Sequence, residues 1–221
     1  MYRVRTNWAD AKSQLGAYEV LENAKKMADA HDGFLVFNEA GTVVYPIDYL
    51  GKTAEAAVRV YKAVLDNHCV HKGGAKKFTD ISAKRIITCS ASMSIALQLA
   101  GCLPEGKVVS HTTATKLDGA KLSAKKDTIA KCMNGYANLQ HCEVVRVDKT
   151  YKELPAAYRK AGVCYIYDSN CAVSAGNGKI YSCNNGVFQM DSKKQYKKNL
   201  MTSGYCFAHR ILYCIVPKVR G

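Results

Sequence analysis

The stretch "RIITCSASMSIALQLAG", residues 85–101, decides how the rest of the chain is interpreted. A β-branched run leads directly to Cys89, and apolar residues then follow at helical spacing as far as Gly101: Met93, Ile95, Ala96, Leu99 and Ala100. The pattern predicts a short strand and then a helix that carries Cys89 in its first turn. Unpaired N–H groups at a helix start favour a thiolate. Cys89 is therefore either a nucleophile or one more buried thiol among ten cysteines.

The composition indicates a soluble globular chain with an excess of positive charge. Of the 221 residues, 48% are apolar, whereas Lys and Arg outnumber Asp and Glu by 32 to 18. This balance favours a polyanionic partner, such as nucleic acid, an anionic membrane surface or the phosphate polymers of a cell wall. The basic residues are scattered, and there is no zinc-finger, RRM or leucine-zipper pattern, so nucleic acid is the weaker candidate. No apolar run approaches the ~18 residues of a membrane span, and stable membrane insertion is not expected.

The cysteines give no metal-site or redox motif. None forms a CxxC pair, and several lie in apolar runs such as "AGVCYIYD" and "ILYCIVP". We expect buried thiols in a reducing environment, with a disulfide framework as the less favoured alternative. His68 and His71 flank Cys69, but glycines follow closely, which favours a loop over a metal site. No cofactor and no metal are predicted.

The order of predicted elements indicates an α+β protein in two parts. Residues 1–46 read as a β-α-β-β unit closed by Pro46. A helix is predicted over 53–68, and the lysine-rich segment 116–140 reads as a solvent-exposed helix. Several β-rich runs follow, which predict a meandering sheet over 142–217.

Residues 12–28, "KSQLGAYEVLENAKKMA", resemble the SPOR-type pattern, in which a strand and a Gly-Ala-aromatic turn lead into a helix. They are still more similar to the short modules that clostridial and phage amidases carry beside their catalytic domains. The resemblance implies that residues 1–46 bind peptidoglycan. The alternative is a small α+β cap without a ligand.

The rest of the chain resembles NlpC/P60-type cysteine peptidases. "TCSASMSIALQLAGCLPEG" is similar to the helix that carries the family's nucleophile, with Thr88 and Ala91 in place of the usual Asp and Gly. "DSNCAVSAGNGKIYSCN", residues 168–184, is similar to the family's second signature. The resemblance implies a papain-like domain over 47–221, in which the helix carrying the cysteine packs on an antiparallel sheet. It also implies that the Cys89 thiolate attacks an amide.

The chain departs from this family at the general base. Asn170 stands where the family has its histidine, and Ser182 falls at the third, orienting position. An amide has no basic lone pair near neutral pH, so Asn170 cannot take the thiol proton. His111, in "KVVSHTTATKL", is the preferred substitute. His141 and His209, which border β-rich runs, are the other candidates.

These observations predict a peptidoglycan hydrolase of the phage or prophage endolysin type, from Clostridium or related bacteria. The predicted site comprises Cys89, His111 and Asn170, and the expected partners are peptidoglycan and anionic wall polymers. The N-terminus lacks the apolar segment of a signal peptide, so we expect synthesis in the cytoplasm and action at the cell wall after release. One alternative is a catalytically inactive wall-binding protein, which Asn170 favours. A basic protein that binds nucleic acid is the second alternative.

Overall fold

The computed structural model describes residues 1–109, 136–167, 170–184, 195–196 and 204–220. The chain divides into two compact units. The first contains residues 1–48 together with 219–221, and the second contains residues 49–218. The sequence predicts a boundary between residues 46 and 47 and a second part that includes the C-terminal residues.

The first unit contains a four-stranded antiparallel sheet and one helix. Its elements are β1 (Tyr2–Arg5), β2 (Gly16–Tyr18), α1 (Leu21–Asp29), β3 (Leu35–Phe37) and β4 (Val43–Tyr45), with a 3-10 turn at Ala11–Ser13. The strand order is β2-β1-β3-β4. The predicted β-α-β-β order missed β2, because a three-residue strand is too short to show an alternating pattern. A buried cluster joins the helix to the sheet: Val4, Ala24, Ala28 and Val36. The short strand β5 (Ile47–Asp48) pairs with β13 (Val219–Arg220).

The second unit is also α+β, as the sequence predicts. Its helices are α2 (Tyr49–Asp66), α3 (Thr79–Lys84), α4 (Cys89–Leu99) and α5 (Gly204–Ala208). Its strands are β6 (Val70–His71), β7 (Ile86–Ile87), β8 (Cys142–Lys149), β9 (Cys164–Ile166), β10 (Cys171–Gly176), β11 (Lys179–Tyr181) and β12 (Ile211–Pro217). Two 3-10 turns, Tyr151–Glu153 and Ala156–Arg159, precede β9. Most of the helix predicted over 116–140 lies outside the described residues.

The five-stranded sheet has the order β11-β10-β9-β12-β8, and all of its pairs are antiparallel. The predicted meander is confirmed for β9, β10 and β11, which pair in chain order, and is wrong for β8 and β12. Strand β12 lies between β8 and β9. Strands β8 and β9 therefore follow each other along the chain but are not paired. Hydrophobic periodicity identifies strands but carries no information about which strands become neighbours.

Alternation of side chains gives this sheet two different faces. One face packs around Cys206 of α5 and includes side chains from four strands: Tyr165, Tyr167, Ala172, Ile180 and Cys214. The opposite face packs against α2 and α4. There the ring of Tyr181 stacks on Tyr61 of α2, with centroids 5.2 Å apart.

Gly162 provides a test of how closely α2 approaches the start of β9. Gly162 has φ +89°, and a Cβ there would overlap the carbonyl oxygen of Leu50. Gly106 has φ +80° but has no atom within 4 Å of its would-be Cβ. We expect Gly162→Ala to lower the free energy of unfolding by at least about 3 kcal/mol and Gly106→Ala by about 1 kcal/mol. Urea unfolding followed by circular dichroism measures both values. Equal effects would show that the approach of Leu50 does not matter.

Candidate active site

Cys89 is the first residue of α4, as predicted. Thr88 is the N-cap residue, with an extended backbone (φ −123°, ψ 170°), and its Oγ1 accepts a hydrogen bond of 3.3 Å from the Ala91 N–H. Threonine is a favoured N-cap residue because its oxygen replaces a missing helical acceptor. The N–H groups of the first turn therefore lie next to the Cys89 thiol, and Cys89 is 4% exposed.

One helical turn later, Ser92 connects Cys89 to α2 and to the end of β11. Its hydroxyl donates to the carbonyl oxygen of Cys89 at 2.9 Å and lies 2.9 Å from the Tyr61 hydroxyl. Burial raises the pKa of the Cys183 thiol, although a hydrogen bond with Ser92 opposes this effect. The Cys89 thiol raises the pKa of Cys183 further. Cys183 therefore lies on the same face of the sheet as Cys89.

Tyr196 closes this group of side chains from the other side. Its hydroxyl donates to the carbonyl oxygen of Cys183 at 3.0 Å, and its backbone N–H donates to that of Cys69 at 3.0 Å. The pKa of Tyr196 is raised by burial first and then by Cys183, Cys89 and Cys69. Burial also raises the pKa of Cys69 to about 11. We call Cys69, Cys89 and Cys183, with Tyr196, the thiol cluster.

The chemistry of the thiol cluster depends on which member ionises first. Near neutral pH, burial keeps Cys69, Cys183 and Tyr196 in their uncharged forms. Cys89 differs from them because it begins a helix, where the macrodipole stabilises negative charge. Burial disfavours a thiolate and a helix start favours it, so a nucleophile at this position also needs a base or a positive charge nearby.

The cysteines of the described residues match the expectation of buried thiols. Nine of the ten lie in these ranges, and all nine are thiols, eight of them buried and Cys142 partly exposed. Within the same ranges, no group of three or more His, Cys, Asp or Glu side chains is arranged to hold a metal ion.

The structure does not bring Asn170 to Cys89, and here the sequence-based site needs correction. In the β9–β10 hairpin, Tyr167 donates its N–H to the Asn170 carbonyl at 2.9 Å, so the two residues form a cross-strand pair. Paired residues share a face, and Tyr167 lies in the cluster around α5. The residue of β10 that shares the face of α4 is Cys171. A shift of one position in a strand exchanges the faces, and the resemblance could not fix that position.

Asn170 instead has a structural role together with Ser182. The side chain of Asn170 is fully buried, and the Ser182 hydroxyl lies 2.7 Å from its Oδ1 and 2.8 Å from the Cys171 carbonyl oxygen. The single hydroxyl proton serves these two acceptors. Asn170 Nδ2 has no hydrogen-bond partner among the described residues. The pair links the ends of β10 and β11 on the side away from α4.

Two of the other predicted histidines, His141 and His209, lie away from Cys89. His111 lies outside the described residues, so its role stays a prediction. His141 stacks on Tyr49 with ring centroids 4.2 Å apart. It precedes Cys142, whose thiol hydrogen-bonds Cys102 beyond the far end of α4. The 11 residues of α4 span about 16 Å.

His209 is exposed and stacks on Tyr205 of α5, with centroids 3.9 Å apart. Tyr205 in turn contacts Tyr167, which lies on the face of the sheet away from α4. His209 therefore belongs to the side of the sheet opposite Cys89.

A histidine that the sequence analysis set aside lies close to this site. His71 ends β6, which pairs in parallel with β7, and its register partner is Ile87. Its ring meets Tyr196 edge-on, with centroids 6.3 Å apart. The available signal was the spacing of two between Cys69 and His71, which places both side chains on one face of a strand. We interpreted that segment as a loop because of the following glycines.

Comparisons with family models, curated proteins and solved structures find no match to the chain. Among the helices of the described ranges, none combines the length and the apolar character that a membrane crossing requires.

The Asn170–Ser182 pair gives a stability prediction. Ser182→Ala removes the hydroxyl donor and leaves the Asn170 and Cys171 oxygens buried, so we expect the free energy of unfolding to fall by about 1–3 kcal/mol. Ser82→Ala is the matched control, because the Ser82 hydroxyl bonds Thr79 at an exposed position and its loss should cost under about 0.5 kcal/mol. Urea unfolding measures both. A Ser182→Ala protein as stable as the control would contradict this structural role.

Proposed function

We propose that this protein hydrolyses an amide bond in the peptide of bacterial peptidoglycan, with Cys89 as the nucleophile. The observation that carries the proposal is the position of Cys89, which begins a threonine-capped helix packed over an antiparallel sheet. This position combines a helix N-terminus with a buried environment in which the neighbouring thiols stay protonated. A helix N-terminus beside the nucleophile is one of the features that activate the cysteine of a thiol protease.

The proposed reaction has two stages. In the first, the Cys89 thiol loses its proton to a base and the sulfur attacks the amide carbon. N–H groups at the start of α4 are available to stabilise the negative oxygen that forms. The tetrahedral intermediate collapses when the C–N bond breaks, and the base returns its proton to the leaving amine. In the second stage, water attacks the thioester, which releases the carboxylic acid and restores the thiol.

The substrate class is supported by charge and by two resemblances. A formal net charge of +14 favours a cell wall rich in phosphate polymers. Residues 12–28 resemble wall-binding modules of the SPOR type, and residues 88–106 and 168–184 resemble NlpC/P60-type peptidases. We therefore propose a papain-like NlpC/P60-type domain preceded by a wall-binding module, in a protein of the clostridial phage endolysin type that acts at the cell wall.

A second candidate is a protein that binds the wall without cutting it. The specific observation in its favour is that the sheet offers no imidazole to Cys89 within the described strands β9, β10 and β11. The side chains directed towards α2 and α4 include Cys171 of β10 and Tyr181 of β11, and Cys183 follows β11. The two candidates differ in whether Cys89 obtains its base from another part of the chain.

Lysis of purified clostridial cell walls, followed as loss of turbidity, distinguishes the two candidates. We expect the wild-type protein to clear the suspension and Cys89→Ala to lose at least about 10³-fold in rate, because no other thiol can replace a positioned nucleophile. Binding of Cys89→Ala to sedimented walls should equal that of the wild type, because the substitution removes only one buried atom.

The matched control is Cys206→Ala, which removes a buried thiol from the opposite face of the sheet. It should keep the wild-type rate of lysis. Lysis retained by Cys89→Ala would refute the assignment of the nucleophile. Wall binding without lysis by the wild-type protein would favour the second candidate.

A further inference from the structure

We propose that His71 is the residue that takes the proton of the Cys89 thiol. The inference rests on the proposed function for its use in hydrolysis. The ionisation of Cys89 itself can be measured without any substrate.

Strand β6 pairs in parallel with β7. In this pair, His71 is opposite Ile87, so their side chains point to the same side. Ile87 is fully buried and Cys69, two residues before His71, is fully buried as well. His71 is half-buried. The shared side is therefore the interior side, with His71 at its margin.

The backbone between β7 and α4 is extended. Thr88 has φ −123° and ψ 170°, so the chain continues as a strand for one further residue. In an extended chain, side chains two positions apart point the same way. Cys89 therefore points to the same side as Ile87, which is also the side of His71.

The separation between the two residues suits a cysteine–histidine pair. Two residues of a strand span about 6.6 Å, and neighbouring strands are about 4.8 Å apart. These distances place the Cα atoms of His71 and Cys89 about 8 Å apart, on a diagonal that an aromatic side chain can bridge. Both strands run in the same direction, so His71, which ends β6, and Cys89, which lies two residues after the end of β7, are at the same edge of the pair.

Tyr196 provides an independent link between the two residues. Its ring touches that of His71, and the Cys89 thiol contributes to its raised pKa. Tyr196 is 5% exposed and is fixed by hydrogen bonds to the carbonyl groups of Cys69 and Cys183. One buried ring is therefore adjacent to both members of the proposed pair.

The titratable groups around His71 and Cys89 do not determine the charge of either residue. Those among the described residues of the second unit include Cys69 just before β6, Cys183 after β11, Tyr61 on α2, and Tyr196. Burial raises the pKa of each of these four groups, so all of them are uncharged at neutral pH. The charged Arg85 side chain, which precedes β7, acts on Cys69 and lowers the pKa of that thiol. A positive charge near the site also favours a thiolate.

The proposed transfer moves one proton from Cys89 Sγ to a ring nitrogen of His71 and leaves a thiolate beside an imidazolium. The opposite charges stabilise each other, and the helix start adds to the stabilisation of the thiolate. During amide cleavage, the imidazolium returns the proton to the leaving nitrogen. In this arrangement the base comes from the strand pair before α4, and the five-stranded sheet does not supply it.

The test is the rate at which iodoacetamide alkylates Cys89 between pH 5 and 10, in the full-length native protein. Mass spectrometry of the peptide that carries Cys89 separates this thiol from the others. We expect the wild-type rate to rise with an inflection below pH 7. In His71→Gln the inflection should move to about pH 8.5, the value for an ordinary thiol, or above it because burial disfavours the thiolate, with at least a tenfold lower rate at pH 7.

The matched control is His68→Gln, because His68 lies on the other side of Cys69 at an exposed position. It should keep the wild-type profile. His71→Asn is the second variant at the site, in case His71→Gln fails to fold, and urea unfolding establishes that each variant is native. An unchanged profile in both variants at position 71 would overturn the proposal. So would a shift that occurs in His111→Gln instead.

The same variants in the turbidity assay distinguish this proposal from the proposed function. Loss of lysis in His71→Gln, together with the shifted profile, supports both. If the wild-type protein shows a low inflection that depends on His71 but does not clear cell walls, the proton transfer stands and the proposed function falls. A wild-type inflection near pH 8.5 would overturn the proton transfer whatever the lysis result.

Discussion

The alternation of side chains along β9, β10 and β11 is the constraint on which the second unit depends. Because of this alternation, Tyr165, Tyr167 and Ala172 face α5, and the residues between them pack against α2 and α4. Each face is buried, so the register of each strand is strongly specified. Because of this constraint, two adjacent residues such as Asn170 and Cys171 have unrelated environments.

The turn from β7 into α4 supplies the second constraint. Thr88 remains extended and caps the helix, so Cys89 keeps the direction of the strand while it gains the N–H groups of a helix start. A strand of two residues would be marginal alone. Here it is held between the parallel partner β6 and the helix it leads into. The position of Cys89 is thus a property of the connection, and the helix sequence alone does not define it.

Local pattern in the sequence was sufficient for the elements that are long or strongly periodic. The helix from Cys89 to Leu99 and the strands from Cys142 to Pro217 were all predicted near their observed positions. The order of the strands in the sheet was not predicted, because strand pairing is decided by packing between distant segments. The short strands β2 and β6 were missed, because two or three residues cannot establish an alternating pattern.

The same distinction applies to the candidate site: its local features could be predicted from the sequence, and its long-range contacts could not. The position of Cys89 could be read from the residues around it, since a capped helix start is a local feature. The face of the sheet on which Asn170 lies could not be predicted. A shift of one residue along the strand exchanges the two faces, and the alternating pattern fits both positions equally well. His71 could be recognised only once β6 was known to pair with β7, and that pairing joins segments separated by a helix.

The burial of the thiols has a consequence for the chain before it has folded. In the native state, the seven buried cysteines other than Cys89 among the described residues are shielded from solvent, so dissolved oxidants reach them slowly. A newly made or unfolded chain offers all ten sulfur atoms at once, and random pairing among them would block the native packing of both faces of the sheet. The order of events therefore matters: folding has to precede any exposure to an oxidising environment. A chain released in its folded form would carry its sulfur chemistry intact, whereas one threaded outward unfolded would risk losing it.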